Sequence, residues 1–320
     1  MNRNKITISF IFFISALFLY TQGSVLAWTV SPVRYEIKAE RGKEYTLTFS
    51  VLNESQLYQK RFEIHTDDWT IDKNNNFLRK AFNKEVNNKY SATSWVKVTP
   101  QQFVVPPGET KNIRFTISVP ADIPSEGEYS SGIFVGERNI EKPPKGEKVV
   151  HIKQDTFIGV VLYVRIGAEK REISLKDLIV NSVPLPNGVN KVIVSPVYQN
   201  TGNIHSRGQI QVKLEPAAEV AQDKDTKKIE FKGGEAVVLR ESELAFPVEI
   251  PQLLLANTEW QFTISTDFGH DIPVLVGTKK YKVPFIEIPK TTIKEEKKIK
   301  EGNKAEDLVK EKLEQKKKKK

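Results

Sequence analysis

An all-β chain of two consecutive immunoglobulin-like β-sandwiches is predicted by three features of the sequence. First, short segments alternate apolar and polar residues: "EYTLTFSVLNES" puts Tyr45, Leu47, Phe49 and Val51 in one phase, and "KNIRFTISVP" does the same with Ile113, Phe115, Ile117 and Val119. Second, Gly, Pro and Asn interrupt these segments at short intervals, at Gly42, Asn53, Pro106–Gly108 and Pro120–Pro124. Third, no segment carries a 3.6-residue apolar period, so helices have nothing to bury.

From Trp28 to about Gly167 the alternation predicts seven strands: 29–39, 44–53, 60–71, 94–105, 111–119, 128–136 and 149–166. Seven antiparallel strands in that length fit an immunoglobulin-like sandwich. "SEGEY" places Tyr129 at the start of the sixth, where such a fold turns a tyrosine hydroxyl back onto the backbone. A second series follows: "KVIVSPVYQNTGNIH", "GQIQVKLEP", "IEFKG", "EAVVLRESELAFPVEIP" and "EWQFTISTDFG". The expected organisation is a signal peptide over 1–27, a first sandwich over 28–168, a second over 169–289 and a disordered Lys-rich tail over 290–320.

The N-terminal expectation rests on Arg3 and Lys5 ahead of the apolar run Ile6–Tyr20, with Val25 and Ala27 as small residues before Trp28. Export to a periplasm, or to the cell surface and medium, follows. Within residues 136–148, "GERNIEKPPKGEK" is expected to be a mobile, exposed loop. The tail carries no aromatic residue and ends in five lysines. Such a composition buries too little to fold, although Leu308, Val309 and Leu313 could form one amphipathic turn. Contact with anionic lipid or cell-wall polymer is the function expected of it.

Charge and composition exclude several classes. The chain carries a formal +9, of which the leader contributes two and residues 290–320 contribute thirteen lysines against seven acids. The body between is nearly neutral, without the basic footprint of a nucleic-acid binder. No cysteine is present, so disulfides, thiol chemistry and a lipid-modified cysteine are excluded. Catalytic templates are absent as well: the sequence holds no HExxH, GxSxG, Walker loop or GxGxxG. His65, His151, His205 and His270 lie in four separate segments, and His205 beside its glycine turn reads as a structural hydrogen-bonding residue. No enzyme, cofactor, metal or small-molecule substrate is expected.

"EIHTDDWTIDKNNNF" (63–77) is the one cluster that resembles a ligand set. As a calcium loop starting at Asp72 it offers Asn74 and Asn76 at the third and fifth positions, but Phe77 at the sixth and Asn83 at the twelfth. A strand running into an Asx-type turn accounts for it better. Phe62 and Ile64 are in one pleat phase and Trp69 and Ile71 in the other, so a β-bulge near Thr66–Asp68 is expected to return all four to one core. His65 then joins Arg61 and Glu63 on the solvent face.

The ordered set "SPVRYEIKAERGKEYTLTFSVLNES", "DDWTID" and "SATSWVKVTPQQFVVPPGETKNIRFTISVPADIPSEGEYSSGIFV", followed by "VYQNTGNIHSRGQIQVKL" and "DFG", resembles the exported PapD-type pilus chaperones and their relatives. Gram-positive surface proteins that interact with WxL domains share a related layout. The resemblance covers residues 30–280. It implies a non-enzymatic, chaperone-like factor that assists assembly of pilus or cell-surface proteins by β-strand addition, with pilin-like or surface subunits as partners. In that family an edge strand donates alternate hydrophobic side chains, and an arginine and a lysine hold the partner's terminal carboxylate. "DTFIGVVLYVRIG" stands in the donor strand's place, with either Phe157, Val161 and Tyr163 or Ile158, Val160, Leu162 and Val164 facing the partner. Arg34 is the counterpart of the arginine, with longer spacing to Gly42, while Gly159 and Val160 stand where the lysine belongs. The alternative reading is a surface scaffold or adhesion module that binds cell-wall polymer or glycan.

Overall fold

The computed structural model describes residues 28–72, 74–83, 89–138, 156–216, 228–269 and 272–285. The expected signal peptide, the 139–155 part of the loop and strand region, His151, His270 and the tail lie outside the described residues. Two compact units divide the chain. The first comprises residues up to Glu172 together with Asn200–His205 and Leu239–Ser242; the second holds the remainder.

The first unit begins with β1 (Trp28–Ser31), β2 (Arg34–Ala39), β3 (Glu44–Asn53), β4 (Lys60–Ile71) and β5 (Phe77–Lys80). It continues with β6 (Val96–Thr99), β7 (Gln102–Val105), β8 (Thr110–Ser118), β9 (Gly127–Glu137) and β10 (Phe157–Ile166). One sheet runs β1-β3-β8-β6. The other runs β2-β10-β9-β4-β5, with β7 also on β4. Phe49, Val51, Ile113, Phe115 and Ile117 from the first sheet meet Phe62, Ile64, Ile133, Val135, Val160, Leu162 and Val164 from the second in one core. This is a β-sandwich, packed by the alternation that the sequence displays.

Two of the expected strands are each split into two elements that belong to different sheets. Segment 29–39 breaks at Pro32, which has no N–H for a ladder: β1 pairs with β3, and β2 crosses to lie parallel to β10. Segment 94–105 breaks at Pro100, so that β6 pairs with β8 and β7 with β4. A further strand, β5, folds back on the end of β4.

The bulge expected near Thr66–Asp68 is not formed. The β4–β9 register runs without a shift from Phe62↔Glu137 to Asp67↔Gly132, and β5 takes over at Asp68↔Lys80. Phe62 and Ile64 enter the main core, whereas Trp69 faces the opposite side of the sheet in a second cluster with Phe134 and Tyr163. Period-two alternation puts odd residues on that face, and the cluster gives them somewhere apolar to go. His65 and Arg61 are exposed and Glu63 half-buried, as the strand reading requires.

Local chemistry fixes the turns. Asp72 Oδ1 accepts the backbone N–H of Asn74 (2.9 Å) and Asn76 (2.8 Å), and Asn75 takes φ 63°, an Asx-stabilised turn rather than a metal loop. Asn53 is buried, and its amide donates to the carbonyls of Tyr58, Val105 and Pro106, pinning the loop after β3. Tyr129 donates its hydroxyl to Ser125 O at 2.9 Å, the corner expected from "SEGEY".

The second unit holds β11 (Ile173–Leu185), most of β12 (Val189–Asn200), β13 (Ser206–Pro216), β14 (Ile229–Val238), most of β15 (Ser242–Ala245), β16 (Val248–Glu249), β17 (Leu254–Leu255), β18 (Glu259–Asp267) and β19 (Leu275–Lys282). One sheet runs β11-β12-β15 with β16 and β17 also on β12; the other runs β14-β13-β18-β19. Val192, Val194, Tyr198, Ile210, Val212, Leu214, Phe262 and Ile264 are buried between them, making a second sandwich. Lys279, Lys280 and Lys282 lie on β19 at the end of its sheet, where charge discourages edge-to-edge pairing.

Tyr198 gives this unit a pH signature. Its hydroxyl shares a hydrogen bond with Thr266 Oγ1, and burial, opposed by that bond, pushes the phenol up to about 12 from 10.0. A folded value above the unfolded one means that the buried phenol's contribution is complete below pH 10 and is lost as pH rises toward 12. In a phenolate absorbance titration of the folded protein, one tyrosine is expected to ionise only near that value, and Tyr198→Phe is expected to remove that step. A titration unchanged by the substitution would contradict the assignment.

Candidate partner-binding strand

The strand "FIGVVLYVRI" forms β10 because eight of its ten residues are β-branched, aromatic or leucine, and it is flanked by Gly167 at φ 70°, which ends it. It is not an edge along its whole length. β9 pairs with all of it, antiparallel, from Phe157↔Gly136 to Ile166↔Gly127. β2 pairs with its other side only from Val161↔Arg34 to Ile166↔Ala39, preceded by the bond from Val161 N–H to Val33 O at 2.9 Å. Backbone direction alternates along a strand, so the Phe157 and Gly159 N–H and C=O groups point to the same edge as those of Val161. Among the described residues, no strand pairs with that edge over 157–160.

The alternation left open by the sequence resolves into two buried faces. Val160, Leu162 and Val164 are fully buried in the main core, and Ile158 packs against it. Phe157, Val161 and Tyr163 face the second cluster with Trp69 and Phe134. Val160, Leu162 and Val164 therefore present no side chain to the surface. Phe157, Ile158 and Val161 are half-buried and border the open edge. Phe157 also carries the Arg79 guanidinium 4.4 Å from its ring centre, and Arg79 in turn pairs with Asp67 at 2.6 Å.

Arg34 has a 47% exposed side chain, with Nε 3.5 Å from Glu36 Oε1. A second cation lies on β10 itself, and sequence reasoning passed over it. Arg165 donates from Nε to Glu128 Oε2 at 3.1 Å and from Nη2 to Glu36 Oε2 at 2.7 Å. Glu128, only 3% exposed, also accepts the His205 backbone N–H at 3.1 Å and its ring Nδ1 at 2.7–2.8 Å. Facing an acceptor-only carboxylate, Nδ1 carries the hydrogen. The His205 ring, 2% exposed, stacks on Tyr163 with centroids 3.9 Å apart. His205 is thus a structural hydrogen-bonding residue, as its place beside the turn suggested.

Arg240 completes the network. Its Nη1 donates to Glu128 O at 2.8 Å, and its guanidinium lies 3.5 Å from the centre of the Tyr90 ring. Tyr90 donates to Glu241, and this bond, with the adjacent Arg240 and Lys89 charges, holds the Glu241 carboxyl below its ordinary value against partial burial. Arg165 is engaged by two carboxylates, Glu128 and Glu36, whereas Arg34, the counterpart that the resemblance suggests, keeps an exposed side chain. The signal for the network was present in the sequence: an arginine inside an apolar strand and a glutamate opening one.

No triad of metal-ligating His, Cys, Asp or Glu occurs among the described residues, and no helix among them is long and apolar enough to cross a membrane.

No family model matches the chain, and no curated protein does. Solved structures similar to it include fimbrial chaperones of the PapD type. The SafA pilin–SafB chaperone complex of Salmonella enterica matches at 13% identity and a TM-score of 0.34, over 80% of this chain and 98% of that one. The E. coli chaperone DraB matches at 12% identity and 0.34, over 81% and 97%. The CupB2 chaperone of Pseudomonas aeruginosa matches at 14% identity and 0.34, over 78% and 97%.

Proposed function

We propose that the protein is a non-enzymatic, exported, chaperone-like factor that binds pilin-like or other surface subunits by accepting a β-strand at the open half of β10. One observation carries the reading: β2 reaches β10 only from Val161 onward, so Phe157 and Gly159 offer outward N–H and C=O groups beside half-buried Phe157, Ile158 and Val161. Main-chain hydrogen bonds to an unpaired edge supply affinity in β-augmentation, and alternate side chains supply selectivity. Arg34, opposite Val161 where the β2 ladder begins, adds an exposed cation beside the incoming strand.

A proline at position 159 tests this directly. Its missing N–H is one that points away from β9, so the β9 ladder is retained, and proline is tolerated at such edge positions. The added Cβ, 3.1 Å from the Phe134 ring, requires only a small shift of that side chain. A photo-crosslinking residue placed at Phe157 in the producing cell is expected to capture an extracytoplasmic protein. Adding Gly159→Pro is expected to reduce that product about tenfold or more, the effect of losing one or two interfacial hydrogen bonds. An undiminished product with the native fold retained would rule the edge out.

A further inference from the structure

A cavity of about 640 Å³ opens in the first unit where β4 parts from β9 beyond the Asp67↔Gly132 pair. Its apolar wall comes from Trp69, Tyr163 and Leu239, and its polar wall includes Asp68, Glu128, Arg240 and Lys80. All of these residues belong to that one compact unit.

The charged groups on this wall differ in what they have left to offer. Glu128 is saturated by Arg165 and His205. Arg240 has a side chain only 7% exposed, stacks on Tyr90, and donates from its two Nη atoms to Glu128 O and Glu241 Oε1. Its Nε is buried without a hydrogen-bond partner among the described residues and so is closed to a ligand that enters from solvent. Asp68 is different. The residue is 7% exposed, and Oδ1 accepts both the Ser91 hydroxyl at 2.6 Å and the Thr93 hydroxyl at 2.7 Å. Its Oδ2 accepts nothing from the described residues and is not sealed from solvent, so it stands open on the cavity wall. A carboxylate buried to this degree is costly to hold without a partner on its second oxygen. Lys80, on the neighbouring strand, is exposed and makes no ion pair with a described residue.

We infer that this cavity takes a basic side chain, lysine or arginine, of a polypeptide partner. The cation bonds Asp68 Oδ2, and the methylene stem lies along the edges of Trp69, Tyr163 and Leu239. A charge-assisted bond to a half-desolvated carboxylate is the strong element, and a long basic side chain is the residue type that covers apolar surface while delivering charge at its tip. The inference rests on the protein-binding reading but uses a surface separate from the β10 edge.

The test is a titration of the full chain with blocked tripeptides, Ac-Ala-X-Ala-NH2, where X is lysine, arginine, norleucine or glutamate, followed through the Trp69 indole resonance. Lysine and arginine peptides are expected to saturate a shift that norleucine and glutamate do not reach. Asp68→Asn keeps an acceptor for Ser91 and Thr93, so the fold is retained, and it is expected to weaken the lysine peptide about tenfold, the effect of losing one charged hydrogen bond. Lys80→Gln removes a like charge at the mouth and is expected to strengthen it. The inference is overturned if norleucine binds as well as lysine, if Asp68→Asn changes nothing, if glutamate is preferred, or if no peptide shifts Trp69. Gly159 does not line the cavity, so lysine binding that survives in Gly159→Pro while crosslinking is lost separates the two surfaces. Loss of lysine binding with crosslinking retained refutes the cavity alone.

Discussion

Replacing Val160 or Leu162 with aspartate is expected to unfold the first sandwich, not to disarm a binding surface. Both side chains are 0% exposed and lie among Ile133, Val135 and Phe115 in the main core. Truncating such a residue alone costs about 2–5 kcal/mol, and placing an unpaired carboxylate there adds several more. Domains of this size are stable by about 5–15 kcal/mol, so most of that margin goes. Urea unfolding followed by tryptophan fluorescence checks it, since Trp28, Trp69 and Trp95 all report on this unit. A loss of at least about 4 kcal/mol is expected. A native midpoint in Val160→Asp would mean that the even-numbered side chains of β10 do not face the core. Partner binding lost together with the fold would say nothing about recognition, which is why the edge is tested at Gly159.

β10 also shows what one sequence can and cannot reveal. Alternation in "FIGVVLYVRI" identifies a strand and divides its residues between two faces. It does not say which face meets the core when both are apolar, and here both are covered. The same ambiguity governs β4. Phe62, Ile64, Trp69 and Ile71 are apolar in two phases, and a bulge is the economical way to reunite them. The chain instead provides a second apolar cluster, built from Phe134, Tyr163 and Leu239, which are 65 to 170 residues away from Trp69 in sequence. No local pattern encodes contacts that distant. Turns were legible for the opposite reason: Asp72 and Tyr129 act on backbone four residues away or fewer, so their chemistry is written where it operates. Strand breaks at Pro32 and Pro100 belong to the same class, because a missing N–H is a local fact with a local consequence.

The buried network is the part that alternation conceals most fully. Glu36, Glu128, Arg165, His205 and Arg240 lie in five separate segments, and although Arg165 stands out within its apolar strand, nothing local says that they converge. Glu128→Ala is expected to be among the most damaging single polar changes in the molecule. It leaves Arg165, with an 11% exposed side chain, and the 2% exposed His205 without the carboxylate that both of them use. Breaking a buried pair by removing one partner costs about 3–5 kcal/mol. The Glu36 carboxylate, 2.7 Å from Arg165 Nη2, places this case at the lower end because Arg165 loses only one of its two partners. Glu128→Gln is expected to cost less but not little, since its amide NH2 must face a donor from Arg165 or His205. A double-mutant cycle separates this account from simple loss of packing. Arg165→Met removes the charge left short of a partner while keeping the stem, so Glu128→Ala with Arg165→Met is expected to be more stable than the sum of the single changes by at least about 1 kcal/mol. Strict additivity would mean that the two residues are near one another without being coupled. Coupling of the expected size would establish that β9 and β10 are joined by charge as well as by their ladder, a bond available at Arg165, near the paired end of β10, and not at Phe157–Val160.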